Sequence, residues 1–164
     1  MEDRPLWAPW RIEYIKGPKP DACIFCAAVV ATDDAGAHVV DRGERCLTML
    51  NAFPYASGHV MVAPHRHVGD LDACQPDEVA ELMALTQRAI RALREVIAPD
   101  GFNVGLNLGK VAGAGFDDHL HLHVVPRWQG DTNFMPVLAD THVVPEALGA
   151  TRAVLAEALA ALGR

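Results

Sequence analysis

A chain of 164 residues with 51% apolar and 21% charged residues has the composition of one soluble domain with a real core. Its 14 basic residues against 21 acidic ones give a formal charge of -7, the wrong balance for a binder of nucleic-acid polymers, which shows a basic patch or stripe. An anionic small substrate stays open, because the field focused in a cleft matters more than the total.

No basic patch is followed by an apolar run, and no stretch approaches about 18 unbroken apolar residues. Neither export nor a membrane span is expected, and the expected address is cytoplasmic. Residues 1–22 carry Trp7, Trp10, Tyr14 and scattered prolines with little periodicity, which suggests an extended arm packed on residues 23–164, the expected single domain. After Cys23 and Cys26, AAVVA offers one or two helical turns. AHVVD (37–41) and RCLTML (45–50), around Arg42-Gly43-Glu44, read as a hairpin in which Gly43 is free to take positive φ. Residues 51–58 form a loop by their Pro and Gly punctuation, and HVMVAP (59–64) reads as a strand.

The clearest helix runs from about Pro76 to Ile97. Asp77 and Glu78 suit its positive end, and its apolar residues recur at three- and four-residue spacing. Pro99-Asp100-Gly101 ends it. FNVGLNLG (102–109) reads as a strand, GKVAGAG (109–115) as a loop, HLHLHVV (119–125) as a strand and Pro145 to Leu162 as a closing helix. Strands gathered around one long helix predict an α+β domain with a mostly antiparallel sheet.

In HLHLHVVPRW, His119, His121 and His123 occupy every second position. Side chains two apart on a strand share a face, so three imidazoles stand in a row while Leu120, Leu122 and Val124 enter the core. Three readings compete: hydrogen-bonded core histidines, a metal face, and covalent catalysis with one ring as nucleophile. The surroundings favour the last. The glycines of GKVAGAG let backbone N–H groups approach an anion, and Arg127 can add fixed positive charge. Asp117 and Asp118 read as solvated loop residues. His65-Arg66-His67 and Lys110 are further sources of local positive charge.

Four cysteines in a chain this long do not make a secreted disulfide scaffold, so Cys23-Ile-Phe-Cys26 reads as a metal or redox pair. The redox reading requires a preceding strand, which PKPDACIFC does not offer. Two cysteines at this spacing make half a zinc site, and two further ligands must come from far along the chain.

His119-Leu-His121-Leu-His123-Val-Val resembles the signature of the histidine triad family of nucleotide hydrolases and transferases. The likeness extends from about Leu6 to Val137. TMLNAFPYASGHVMVAPHRHVGDL with PDEVAELMALTQR resembles the diadenosine polyphosphate hydrolase branch. LWAPWR and VVPRWQGDTNFMPV resemble bacterial members described as diadenosine tetraphosphate phosphorylases.

The resemblance implies the histidine triad fold and attack by His121 on the α-phosphorus of a dinucleoside polyphosphate, giving a nucleotidyl-histidine intermediate that passes to water or phosphate. It implies that His123 bonds phosphate oxygens or the leaving group, that Asn51 contacts ribose, that Asn107 binds phosphate oxygen and that His59 supports the triad. Asn51 has a plain alternative as a loop stabiliser through its own backbone. Where the hydrolase branch carries Gln and a small hydroxyl residue, this chain has Ala114-Gly115, so the amides of Gly113, Ala114 and Gly115 are expected to hold the phosphates.

By the same resemblance, a structural zinc takes Cys23, Cys26, His67 and His119, with His65 the rival for the third place. A homodimer is implied. A nucleoside phosphoramidate is an alternative substrate, and a non-catalytic purine nucleotide sensor or a zinc-organised interaction protein are the alternatives to an enzyme.

Overall fold

The computed structural model describes residues 22–131 and 148–163. The expected arm up to residue 21, residues 132–137 of the phosphorylase-like segment and residues 145–147 of the closing helix lie outside the described residues.

The elements in chain order are α1 (Ile24–Val30), β1 (Val39–Arg42), β2 (Cys46–Leu50), β3 (Val60–Pro64), α2 (Pro76–Ile97), β4 (Gly101–Leu106), β5 (Leu122–Arg127) and α3 (Leu148–Ala161). The five strands form one antiparallel sheet in the order β1-β2-β3-β5-β4, which is the expected α+β architecture. No helix among the described residues is long and apolar enough to cross a membrane.

Pairing register divides the sheet into two faces, because residues opposite one another on neighbouring strands point the same way. Leu50 pairs with Val60, which pairs with Val124, and Val62 pairs with Leu122. These side chains pack with Leu82, Leu85, Ala89 and Leu93 of α2 and Leu155 and Leu159 of α3. On the other face Met49 pairs with Met61, which pairs with His123, and Leu47 pairs with Ala63. Among the described residues the cover there is thin: Phe25 and Ala28 of α1 pack on Val39, Leu47, Met49, Met61 and Ala63. One face is a helix-covered core, and the other carries the histidines.

Helix α2 takes the boundaries its periodicity predicts. Pro76 opens it, where a missing N–H costs nothing, and Gln75 N–H donates to the Glu78 carboxylate at 2.7 Å. It stops at Ala98, which adopts a left-handed conformation with φ 42°. Gly101, expected as part of the helix stop, is already the first residue of β4.

Two local expectations are corrected. Gly43 is not among the residues of positive φ. It is needed for room: a Cβ there would lie 2.6 Å from a carboxylate oxygen of Glu81. That carboxylate accepts the N–H groups of Glu44, Arg45 and Cys46 at 2.9, 2.5 and 2.7 Å. The histidine strand, expected from residue 119, begins at Leu122. Val62 pairs with Leu122, so the next rung would fall on Pro64, which has no N–H to donate. The ladder ends there, and Leu120 N–H turns to the Val68 carbonyl at 2.6 Å.

Helix α1 begins at Ile24, earlier than AAVVA implied, and has only seven residues. A helix this short is not stable alone. Its C-terminal end is held by the Arg42 guanidinium, which donates to the carbonyls of Ala28, Val29 and Ala31 at 2.8, 3.1 and 3.2 Å. Arg42 also pairs with Asp34 at 2.7 Å. A cation at a helix C-terminus opposes the partial negative charge of its free carbonyls.

Candidate active site

Cys23 caps the N-terminal end of α1 and Cys26 lies in its first turn, which aims both thiols at the lead-in to β5. Cys23 Sγ is 3.2 Å from His119 Nδ1, Cys26 Sγ is 3.2 Å from His67 Nδ1, and the two Nδ1 atoms are 3.3 Å apart. Cys26 Sγ is also 3.6 Å from His119 Nδ1, and all four donor atoms lie within 4.8 Å of one another. Ligands on a tetrahedral zinc, at bonds of about 2.0–2.3 Å, stand roughly 3.3–3.8 Å apart. The four residues could therefore hold a metal ion, and two sulfurs with two imidazoles suit zinc.

The tautomer agrees. His119 Nε2–H donates to the Pro64 carbonyl at 2.9 Å, which leaves the Nδ1 lone pair facing the sulfurs, as a ligating imidazole requires. Burial and the neighbouring His67 hold the His119 pKa below the ordinary histidine value. His67 Nε2 is 3.6 Å from an Asp118 carboxylate oxygen. His65, the rival for the third place, is not in the group; its Nε2 is buried without a hydrogen-bond partner among the described residues.

His121, only 6% exposed, donates from Nδ1–H to the His119 carbonyl at 2.9 Å. Its proton is thereby fixed on Nδ1, and Nε2 keeps its lone pair. Burial lowers its pKa, so the ring is neutral near pH 7. His59 is fully buried and accepts the Tyr55 N–H on Nδ1 at 3.1 Å. Its Nε2–H therefore donates to His123 Nδ1 at 2.9 Å. In a neutral His123 the proton then sits on Nε2. The two adjacent rings are left in opposite states: His121 Nε2 can attack, and His123 Nε2–H can donate.

Both rings line a cavity of about 840 Å³ on the thinly covered face. One wall is α1 with Phe25 and Ala28, the floor is Met49 and Met61, and the Gly113 and Gly115 backbone reaches its rim. Apolar walls with a few convergent polar groups are the usual form of a small-molecule site. Asn51 also lines it, and its side-chain oxygen accepts the Phe53 N–H at 2.9 Å. The loop-stabilising role is thus realised, with the residue still at the cavity.

Three expected binding residues are not brought together there. Ala114 does not line the cavity although its neighbours do. Asn107 lies one residue past Leu106, whose register partner is Leu122, and is not a lining residue. Arg127 stands four residues past His123, roughly 13 Å along the strand. It is engaged by Asp131 at 2.5 and 2.8 Å and by Asn103 at 2.8 Å.

The other local charges are also paired. Lys110 lies 3.7 Å from Asp117, and Arg66 lies 2.7 Å from Glu78. Asp117 and Asp118 are exposed, as expected of solvated loop residues, and each also lies near a cationic or imidazole partner.

Phe25 was not singled out from the sequence. It is fully buried, with its ring centroid 4.8 Å from His121 at 29° and 5.0 Å from His119 at 37°. The available signal was its place between two metal-spaced cysteines, which fixes whatever side chain stands there. Arg42 was missed because its role needs α1 and β1 to be neighbours in space.

The family model described as HIT domain matches residues 33–130, a segment that contains the histidine row but not Cys23, Cys26 or Phe25. The chain is 44% identical over 160 residues to a protein of Mycobacterium tuberculosis named AP-4-A phosphorylase, with 92% of this chain and 82% of that protein covered. Among solved structures, a zinc-bound histidine triad family protein from Mycobacterium smegmatis superposes with TM-score 0.68 at 34% identity, covering 86% of this chain and 95% of that one. The diadenosine triphosphate hydrolase of Plasmodium falciparum, at 15% identity, TM-score 0.59 and coverage of 79% and 78%, shares the fold.

Proposed function

We propose, from the premise that this chain belongs to the HIT domain family, that it cleaves a dinucleoside polyphosphate of the diadenosine tetraphosphate type by nucleotidyl transfer through His121. The observation that carries the reading is the Nδ1–H bond from His121 to the His119 carbonyl, which leaves Nε2 as the nucleophilic nitrogen of a ring lining the cavity.

In the first step a P–N bond forms between Nε2 and the α-phosphorus as the P–O bond to the remaining polyphosphate breaks. His123 Nε2–H stabilises the departing oxygen, and the backbone of Gly113 and Gly115 at the cavity rim faces the charge on the equatorial oxygens. In the second step an acceptor oxygen attacks the same phosphorus, the P–N bond breaks and His121 is regenerated. Inorganic phosphate is the favoured acceptor, on the strength of the 44% identical relative named as a phosphorylase; water is the alternative.

We read the metal as zinc in a structural role. Four protein ligands leave no open position for a reacting group, and the similar Mycobacterium smegmatis structure is zinc-bound. The metal supplies no step of the chemistry; it ties α1 to the lead-in of β5. A homodimer and a cytoplasmic address belong to the same proposal.

The deciding experiment is incubation with diadenosine tetraphosphate, with and without phosphate, followed by product identification. ADP with ATP, dependent on phosphate, is the expected result. AMP with ATP makes water the acceptor, and no turnover sinks the reading.

A further inference from the structure

Among the described residues, one hydrogen bond fixes His121, from Nδ1–H to the His119 carbonyl. A single bond leaves the imidazole plane free to swing about it, yet in-line attack needs the Nε2 lone pair held in one direction. Two rings complete the constraint. His123 meets His121 edge-on, with centroids 4.8 Å apart at 75°, and Phe25 stacks on it at 4.8 Å and 29°.

The Phe25 ring is itself immobilised. Phe116 abuts it at 6.2 Å and 82°, His119 at 5.0 Å, and it has no exposed surface. Its backbone lies between Cys23 and Cys26, whose sulfurs belong to the four-donor group. The chain thus runs from the metal ligands through one buried aromatic ring to the plane of the nucleophile.

We propose that Phe25 is a positioning residue for His121, held from both sides by the metal-binding cysteines. The inference rests on His121 being the nucleophile proposed above. It predicts that losing the flat face costs the chemical step more than it costs nucleotide binding, although Phe25 also forms part of the cavity wall.

The test uses Phe25→Leu in the full chain. Zinc content should match the parent, KM should stay within about threefold, and kcat should fall about 10- to 100-fold, the scale set by misplacing a reacting group by about 1 Å. Phe25→Tyr, which keeps the ring, should restore most of kcat. A crystal structure of Phe25→Leu should show the His121 plane turned by more than about 30°.

An unmoved His121 plane, an unchanged kcat, or a rise in KM alone overturns the proposal and leaves Phe25 as plain wall. If Phe25→Leu does not fold, Phe25→Met carries the same measurements. If the parent fails to turn over diadenosine tetraphosphate, the proposed function falls, while the His121 plane in the variant still decides the positioning role.

Discussion

Removing the metal is the perturbation with the largest expected effect on this protein. His119 is fully buried and its Nδ1 is 3.2–3.6 Å from both thiols and His67, so the donors are already gathered in the folded chain. They come from positions as far apart as 23 and 119, so the unfolded chain offers no such cluster. A ligand that binds only the folded form stabilises it by about 4 kcal/mol when its free concentration is about 1,000 times Kd. At about 2–4 °C per kcal/mol for a protein of this size, that is roughly 8–16 °C in Tm. Cys26→Ser should lose most of this, since a hydroxyl does not replace a thiolate ligand. Cys74→Ser, whose thiol lies near the Asp70 carbonyl and outside the group, should lose none. The assay is thermal unfolding with zinc titrated against a chelator, paired with zinc analysis of dialysed protein. A Tm independent of zinc, or zinc retained equally by parent and Cys26→Ser, refutes the reasoning.

Three further outcomes follow from single residues. His121→Asn keeps a side-chain N–H for the His119 carbonyl but removes the proposed nucleophile; turnover should fall about a thousandfold or more, with nucleotide affinity by calorimetry within a few-fold, whereas undiminished function would mark a sensor. Ala98→Gly relieves a non-glycine residue at φ 42° and should stabilise by up to about 1 kcal/mol, read as a shifted denaturant midpoint; a lower midpoint refutes it. Arg66 holds the Glu78 carboxyl down to about 2 from its ordinary 4.5. A depressed carboxyl binds fewer protons folded than unfolded, so its stabilisation is present above about pH 4.5 and drains away as pH falls toward 2. The stability gap between parent and Glu78→Gln should therefore be constant above about pH 5.5 and narrow on acidification; a gap that widens would reverse the sign.

The parts of the fold that depend on local pattern were legible. Helix α2 announced itself by periodicity, an initial proline and acidic residues in its first turn, and the alternation of HLHLHVV put Leu122 and Val124 in the core opposite the histidines. The metal group rested on spacing for Cys23 and Cys26, and on family resemblance for His67 and His119. The start of β5 was not legible from alternation, which an extended lead-in shares with a strand. What ends the ladder is a proline on β3, about sixty residues away in sequence. Arg127 misled because nearness in sequence along a strand is distance in space. Phe25 and Arg42 were missed because each acts on an element that the sequence pattern does not bring to it.

The sheet explains why so short a helix sits at the centre of this chemistry. The face covered by α2 and α3 buries a continuous apolar core, and a substrate cavity there would sacrifice that burial. The opposite face can hold one because α1 is the one helix that covers it among the described residues, but seven residues cannot hold their own conformation. The sequence supplies an anchor at each end: metal-spaced cysteines at the first turn and the Arg42 guanidinium on the last carbonyls. A wall held this way keeps the cavity open without being filled, and its inner face carries Phe25 against His121. Weakening the Arg42 end should therefore loosen the cavity wall at Ala28 and Ala31 while leaving the four metal donors together. Loss of the metal should disturb the His121 end first.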